Sequence, residues 1–496
     1  MNKTLLPILL LLPTFIFAQW TQVGQDINGE NNIDQSGFSV SMSSDGNIIA
    51  IGAPLNDDGD TNAGHVRVYQ NNSGTWQKIG QDINGENWVD QFGYAVSMSA
   101  DGNTVAIGAR FHDTNFGDSG YVKIYQNNGG TWQQVGQDIG GEANSDQSGS
   151  AVSLSSNGNI VAIGAPFNDD GGSNGGQVRV YENNGGTWQQ IGQDIDGESS
   201  ADAAGTAVSI SADGSILAVG APYGNGMNSG YVQIYQYNGT AWQKIGQDIE
   251  GTMTDSSFGI SVSMANDGNT LAIGSSFDVY ENASSGKVRV YQNNSGTWQQ
   301  VGQDIANTVT GVFYTKIPVS LSGDGSTVVI GVPHDDDFYN DDRGNSYVKV
   351  YKNIAGNWQQ VDQNITEENA QDGFGTSVSI SDDGSIVGIG ARYNDSSKGH
   401  VRVFFNNNTL STENAIKSNV YSISPNPSSG KATIYLNEYL QDIQVQTYAV
   451  LGKEISRKKY YATNEIQVDL SNYPQGIYLL KVVSKGVSDT LKIIKQ

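Results

Sequence analysis

The chain contains no cysteine, four histidines and ten prolines in 496 residues. Without cysteine there is no disulfide, no thiolate metal site and no cysteine nucleophile. Charge is also scarce: 16% of residues are ionisable Asp, Glu, Lys or Arg, and 26 Lys+Arg face 51 Asp+Glu for a formal net charge of −25. A duplex- or strand-binding surface needs a basic face, so this balance argues against nucleic acid as a partner. After residue 18 no apolar run approaches the roughly 20 residues of a membrane-spanning helix. Glycine is abundant at 62, but Gly and Pro together stay below the roughly 25–30% that marks low-complexity disorder. A folded chain of two to four domains is the expectation from length.

The two ends stand apart from the body. Residues 1–18 carry Lys3, an apolar stretch from Leu5 to Leu12 and the small residue Ala18. This order reads as a secretory signal peptide, too short and too interrupted by Pro7 and Pro13 to be an anchor. From Thr409 onward 10 Lys+Arg meet 7 Asp+Glu, whereas the preceding body holds 16 against 44, so net charge passes from −28 to +3. Residues 406–418, opening with Asn406, Asn407 and Asn408, read as a linker.

Between these ends the sequence repeats. The segment GTWQQVGQDI and its variants place tryptophan at 20, 76, 132, 188, 242, 298 and 358. Each repeat has four strand-like stretches. Phe38, Val40 and Met42 alternate with serines (strand a), and Asp45-Gly46 supplies a tight turn. Asn47 to Ala53 is apolar on both faces (strand b), as a strand packed between sheets would be. His65 to Tyr69 alternates again (strand c), and Trp76 through Ile83 forms strand d after an Asn-rich turn. Four short strands at a fixed period indicate an all-β propeller. Seven tryptophan-bearing d segments and seven a-b-c blocks predict seven blades over residues 19–405. The orphan ribbon at residues 20–27 would complete the last block, Phe374 to Phe405, and so remove two sheet edges.

The block resembles the FG-GAP repeat of integrin α-subunits and bacterial exported proteins. Phe92-Gly93, Phe258-Gly259 and Phe374-Gly375 carry the first motif; Gly52-Ala53-Pro54, Gly164-Ala165-Pro166 and Gly220-Ala221-Pro222 carry the second. The resemblance implies a propeller and, in many members, Ca²⁺ held in the a–b turn. Here that turn keeps one acidic residue in most copies, and Asn157 replaces it in the third, so a hairpin is expected there instead. Acidic loops between strands b and c are better metal candidates: Asp57, Asp58 and Asp60; Asp169 and Asp170; and Asp335, Asp336 and Asp337. A solvated loop is the favoured reading of each, with Ca²⁺ the alternative. The link GQDIxGExxxD offers Asp26, Glu30 and Asp34. His65 and His400 recur at one strand-c position and read as scaffold. His112 and His334 lie in variable loops without a spaced partner. No nucleophile elbow or catalytic triad emerges.

The tail from 419 to 496 reads as a small immunoglobulin-like β-sandwich. Its motifs resemble, in order, the C-terminal sorting domain of type IX secretion in Bacteroidetes. They are Pro425-Asn426-Pro427 with Gly430, Gly452-Lys453, Gly476 with Tyr478, and Lys492 with Lys495. The resemblance implies passage through the type IX translocon, then release or tethering at the cell surface. The expectation is therefore a secreted or cell-surface, non-catalytic binding or adhesion protein for an extracellular glycan or protein. An enzyme acting on polysaccharide, or a structural matrix component, is the alternative.

Overall fold

A computed structural model describes residues 20–112, 117–225, 229–252, 256–276, 286–306, 316–333, 346–370, 372–406, 422–424, 428–440, 443–449, 454–484 and 487–495. Residues 1–18 and 407–418, read from sequence as a signal peptide and most of a linker, lie outside these residues. The chain divides into two compact units, Met1–Asn407 and Asn408–Gln496.

Among its described residues the first unit is all-β and holds seven antiparallel sheets of five strands each. In the first sheet strand a is Ser39–Met42, b is Ile48–Ala53, c is His65–Asn71 and d is Trp76–Lys78. A two-residue piece, Ile83–Asn84, returns to pair with the start of strand c. Strand d is thus shorter than its sequence suggests. Gly80 takes a positive φ of 77° between the two pieces and turns the ribbon out of the ladder.

The last sheet is completed from the other end of the unit. Trp20, Thr21 and Gln22 pair with Asn406, Phe405 and Phe404, and Ile27 and Asn28 pair with Val401 and His400. Main-chain bonds run from each a–b turn to the next. Ser44 N–H donates to Ala100 O, Ala100 to Ser156, Ser156 to Ala212, Ala212 to Asn266, Asn266 to Gly323, Gly323 to Asp382, and Asp382 back to Ser44, at 2.8–3.0 Å. The path returns to its origin after seven steps. A second circuit runs beside it through the serines of strand a. Ser41 Oγ accepts from Met98 N–H and Ser97 Oγ from Leu154 N–H, and so on until Ser379 Oγ accepts from Met42 N–H. The alternating serines of strand a therefore answer the unpaired edge of the neighbouring strand.

Outer strands are clasped as well. Gln137 lies on the second sheet's outer ribbon; its Nε2 donates to Trp188 O and its Oε1 accepts Trp188 N–H, while Trp188 Nε1 donates to Val135 O. The same three bonds join Gln25 to Trp76, Gln81 to Trp132, Gln193 to Trp242 and Gln303 to Trp358, each with a main-chain oxygen from the preceding sheet. The apolar core fills the gaps between sheets. One cluster joins Ala50, Val66, Val68 and Ile83 of the first sheet to Phe92, Val105, Ile107 and Trp132 of the second. Another joins Met42, Ile49 and Ile51 to Val401 and Val403 of the last.

The glycines of both sequence motifs meet at these seams. A Cβ on Gly164 would strike Gly205 O, and one on Gly108 would strike Gly149 O. Close backbone approach is why these positions carry no side chain.

In the second unit the described strands form a three-stranded sheet (Ser422–Ser424, Lys431–Leu440, Thr463–Asp469) and a four-stranded one (Glu454–Tyr460, Ile443–Ala449, Gly476–Ser484, Val487–Lys495). Ile434, Val445, Ile466, Leu480 and Ile493 form its buried core. Glu454–Tyr460, too polar to read as a strand from sequence, pairs with Ile443–Ala449 along its length.

Gly164→Ala is expected to destabilise the first unit by about 3 kcal/mol, because two backbones would have to part. Gly140→Ala, where a Cβ meets nothing within 4 Å, is expected to stay within about 0.5 kcal/mol. Urea unfolding followed by tryptophan fluorescence checks both.

Candidate functional site

The two ends of the sheets are built differently. At one end the a–b turns repeat one hydrogen-bonding pattern, with Ala265 in place of its serine in the fifth. Asp101 Oδ1 accepts from Ser99 Oγ and from Asn103 N–H, and Oδ2 accepts from Asn103 Nδ2. Asp45 is held the same way. Partial burial pushes the Asp45 and Asp101 carboxyls up, but their hydrogen bonds outweigh it and hold both below the ordinary range. Asn157 reproduces the pattern without charge, its Oδ1 meeting Ser155 and Asn159. The oxygens of each turn are thus engaged by the turn's own donors, as the expected hairpin requires.

The opposite end gathers the b–c loops, the starts of strands a and c, and the GQDIxGExxxD links. The link glutamates tie to the basic residue of the next strand c: Glu30 to Arg67 at 3.2 Å, Glu86 to Lys123 at 2.7 Å, Glu142 to Arg179 at 3.1 Å and Glu368 to Arg402 at 3.0 Å. The link aspartates are buried loop anchors. Asp34 accepts from Asn31 N–H and Asn56 Nδ2, and burial pushes its carboxyl up. Asp146 does the same with Ala143 and Asn168. Asp26 accepts from Gln22 Nε2 and lies 3.7 Å from Arg402. His112 has a partner that sequence spacing hid: Asp90, one of these anchors, at 3.0 Å.

The loop aspartates do not converge as a set. Asp57 accepts from Asn62 N–H and Asp60 from Thr61 N–H. Asp169 accepts from Asn174 N–H and Asp170 from Gln177 Nε2. Asp335, Asp336 and Asp337, with His334, lie outside the described residues. Among the described loop candidates, Asp58 alone joins other metal-ligating groups. Its carboxylate, that of Glu30 and the imidazole of His65 offer ligand atoms within 4.8 Å of one another. His65 was legible only as scaffold, because its partners come from a loop and from a link 35 residues away.

A second cluster surrounds the channel mouth. Phe38 and Tyr94, from adjacent strands a, sit with ring centroids 4.9 Å apart. The Arg110 guanidinium lies 3.8 Å over Tyr94, and that of Arg392 lies 5.2 Å from the Phe38 ring. Phe38, Tyr94, Arg392 and the solvent-exposed Lys316 line a cavity of about 430 Å³. Among its described lining residues none carries a carboxylate. Sequence variation gave the only signal here, since arginine stands where Pro54, Pro166 and Pro222 close the motif elsewhere.

In the second unit Lys495 Nζ donates to the carbonyls of Leu470, Ser471 and Tyr473, and Tyr478 Oη donates to Pro474 O. Gly430 takes a φ of 121° in the turn before Lys431–Leu440, and Gly476 opens a strand. Lys492 falls in the final strand. Pro425, Asn426, Pro427, Gly452 and Lys453 lie outside the described residues.

Residues 422–496 match the family described as Secretion system C-terminal sorting domain. This type IX sorting tail marks the chain for export, to a secreted or outer cell-surface location. No helix among the described residues is long and apolar enough to cross a membrane. No curated protein matches the chain. Among solved structures, the Pseudomonas aeruginosa periplasmic gluconolactonase PpgL matches with a TM-score of 0.46 and 14% identity, over 86% of this chain and 99% of that one. The Dos1 propeller matches with a TM-score of 0.41 and 14% identity, over 78% and 95%.

The turn aspartates carry a pH prediction. Their folded pKa is lowered, so their stabilisation is present above the unfolded value of about 3.9 and is lost as pH falls through the lower folded value. Asp101→Ala is expected to cost about 1 kcal/mol at neutral pH and distinctly less near pH 2. Unfolding curves at the two pH values measure the difference.

Proposed function

We propose that the chain is an exported, non-catalytic binding protein. In this reading its body is a seven-bladed propeller of the FG-GAP type, and its tail is an immunoglobulin-like sorting domain read by the type IX translocon. The observation that carries the reading is the asymmetry of the two ends. The a–b turn end keeps one pattern in sheet after sheet, whereas the loop end changes. The first residue of strand c is His65, Tyr121, Gln177, Tyr231, Lys287, Tyr347 and His400 in turn. Scaffold that only holds neighbours together has no need of such variation; a surface that fits one ligand does.

Within that end the channel mouth is the contact the chemistry favours. Guanidinium groups held over aromatic rings present planar donors beside apolar faces, a pairing suited to a sugar ring bearing a carboxylate. The body's net charge of −28 would favour cations or basic partners at long range. Contacts at the mouth act well inside the roughly 10 Å screening distance, so the local cations dominate there. An acidic glycan is the proposed ligand class.

A glycan and protein array with the purified chain, with and without Ca²⁺, tests this. Binding to uronate-bearing glycans is expected, weakening with salt. Arg110→Ala and Tyr94→Ala are each expected to weaken it about tenfold, near 1.4 kcal/mol. Turnover of any bound polysaccharide would favour the enzyme reading.

A further inference from the structure

We propose that Glu30, Asp58 and His65 form a site for a first-row divalent cation such as Zn²⁺, placed across the seam between the closing sheet and the first. His65 begins strand c of the first sheet, and Asp58 comes from that sheet's b–c loop. Glu30 follows Ile27–Asn28, the piece that pairs with the last sheet. One ion would therefore hold together strand c, the b–c loop and the link that follows the closing ribbon.

Three observations support the site. The first is the unmet demand of His65. Its side chain is 0% exposed, and neither ring nitrogen has a hydrogen-bond partner. A buried polar group left so costs on the order of 1–3 kcal/mol. Its Nδ1 faces Asp58 Oδ2 at 3.7 Å, too long for a hydrogen bond. Donors on a tetrahedral ion with bonds of about 2.0–2.2 Å stand roughly 3.3–3.6 Å apart.

The second observation is the third sheet, where the same register is filled differently. Gln177 replaces histidine, and its Nε2 donates to both Asp170 Oδ2 at 3.3 Å and Asp196 Oδ1 at 3.2 Å. There a neutral amide bridges the carboxylates directly. In the first sheet Asn84 stands in place of Asp196, and the imidazole offers a lone pair where Gln177 offers a proton. At the seventh sheet His400 lies 3.8 Å from Asp26, but Arg402 shares that carboxylate and no third donor group joins them among the described residues.

The third is access and charge. Asp58 and Glu30 are exposed on the loop end, so an ion can enter and water can complete its shell. Glu30 keeps Arg67 on one oxygen and has a second to offer. One imidazole with two carboxylates suits Zn²⁺, Co²⁺ or Mn²⁺; Ca²⁺ takes six to eight oxygens and no imidazole.

The test is titration of the purified, chelator-stripped full chain with Co²⁺ and Zn²⁺, read by visible absorption, isothermal calorimetry and melting temperature, with Ca²⁺ in parallel. One equivalent of Zn²⁺ or Co²⁺ is expected to bind and raise the melting temperature, with Ca²⁺ weaker by about tenfold or more. Asp58→Asn, at an exposed position, should fold normally and lose metal affinity by about tenfold or more; even outer-shell changes act on that scale. His65→Gln should give Asp58 an amide donor in place of the imidazole lone pair and abolish the Co²⁺ spectrum. Absence of saturable binding, binding indifferent to both substitutions, or equal preference for Ca²⁺ would each overturn the site. None of these readouts depends on glycan binding.

Discussion

Three residues at one end of the first unit, Trp20, Thr21 and Gln22, hydrogen-bond to three at its other end, Asn406, Phe405 and Phe404. Every other sheet is made from one continuous stretch of chain. This one is made from two, almost the whole unit apart. Without that pairing the last sheet would end on an open strand c, and the first and last sheets would leave faces in water. With it, the Ser44-to-Asp382 circuit and the serine circuit both close, and the edge of each inner strand finds a partner.

Most repeated residues then prove to be joints between neighbours. Tryptophan and glutamine clasp the outer strands, serines bridge the inner ones, and facing glycines allow two backbones to touch. The link glutamate reaches forward to the next strand's arginine or lysine. Each is repeated because each seam is the same problem. What is left varies: positions where a seam permits change, gathered at the end where strand b finishes and strand c begins. The channel mouth and the Glu30–Asp58–His65 cluster are both there. Each also draws on the sheets beside the closure.

The repeat was legible because its signals are local. Alternation of serine with apolar residues, Asp-Gly turns and evenly spaced tryptophans report strands and turns within a few residues. Glu454–Tyr460 was not legible, because its core contacts come from a sheet partner and not from its own pattern. The candidate site was legible in part. The acidic loops and the link acids stood out by composition, but which carboxylates meet depends on where the chain folds back. Asp57 and Asp60 turn to their own loop, Asp34 goes inward to Asn56, and Asp58 alone reaches His65 and Glu30. Arg110 and Arg392 read only as departures from a proline until the rings of Tyr94 and Phe38 were placed under them.

The amino-acid sequence by itself determined the all-β character of the body, its repetition and the export signal of its tail. These follow from short-range backbone preference and from motifs in a fixed order along the chain. The tertiary structure decided which side chains share a space. Histidine, aspartate and glutamate at 65, 58 and 30 become neighbours only when strand c, the b–c loop and the link fold together, since ligand geometry depends on distances through space that no spacing along the chain encodes.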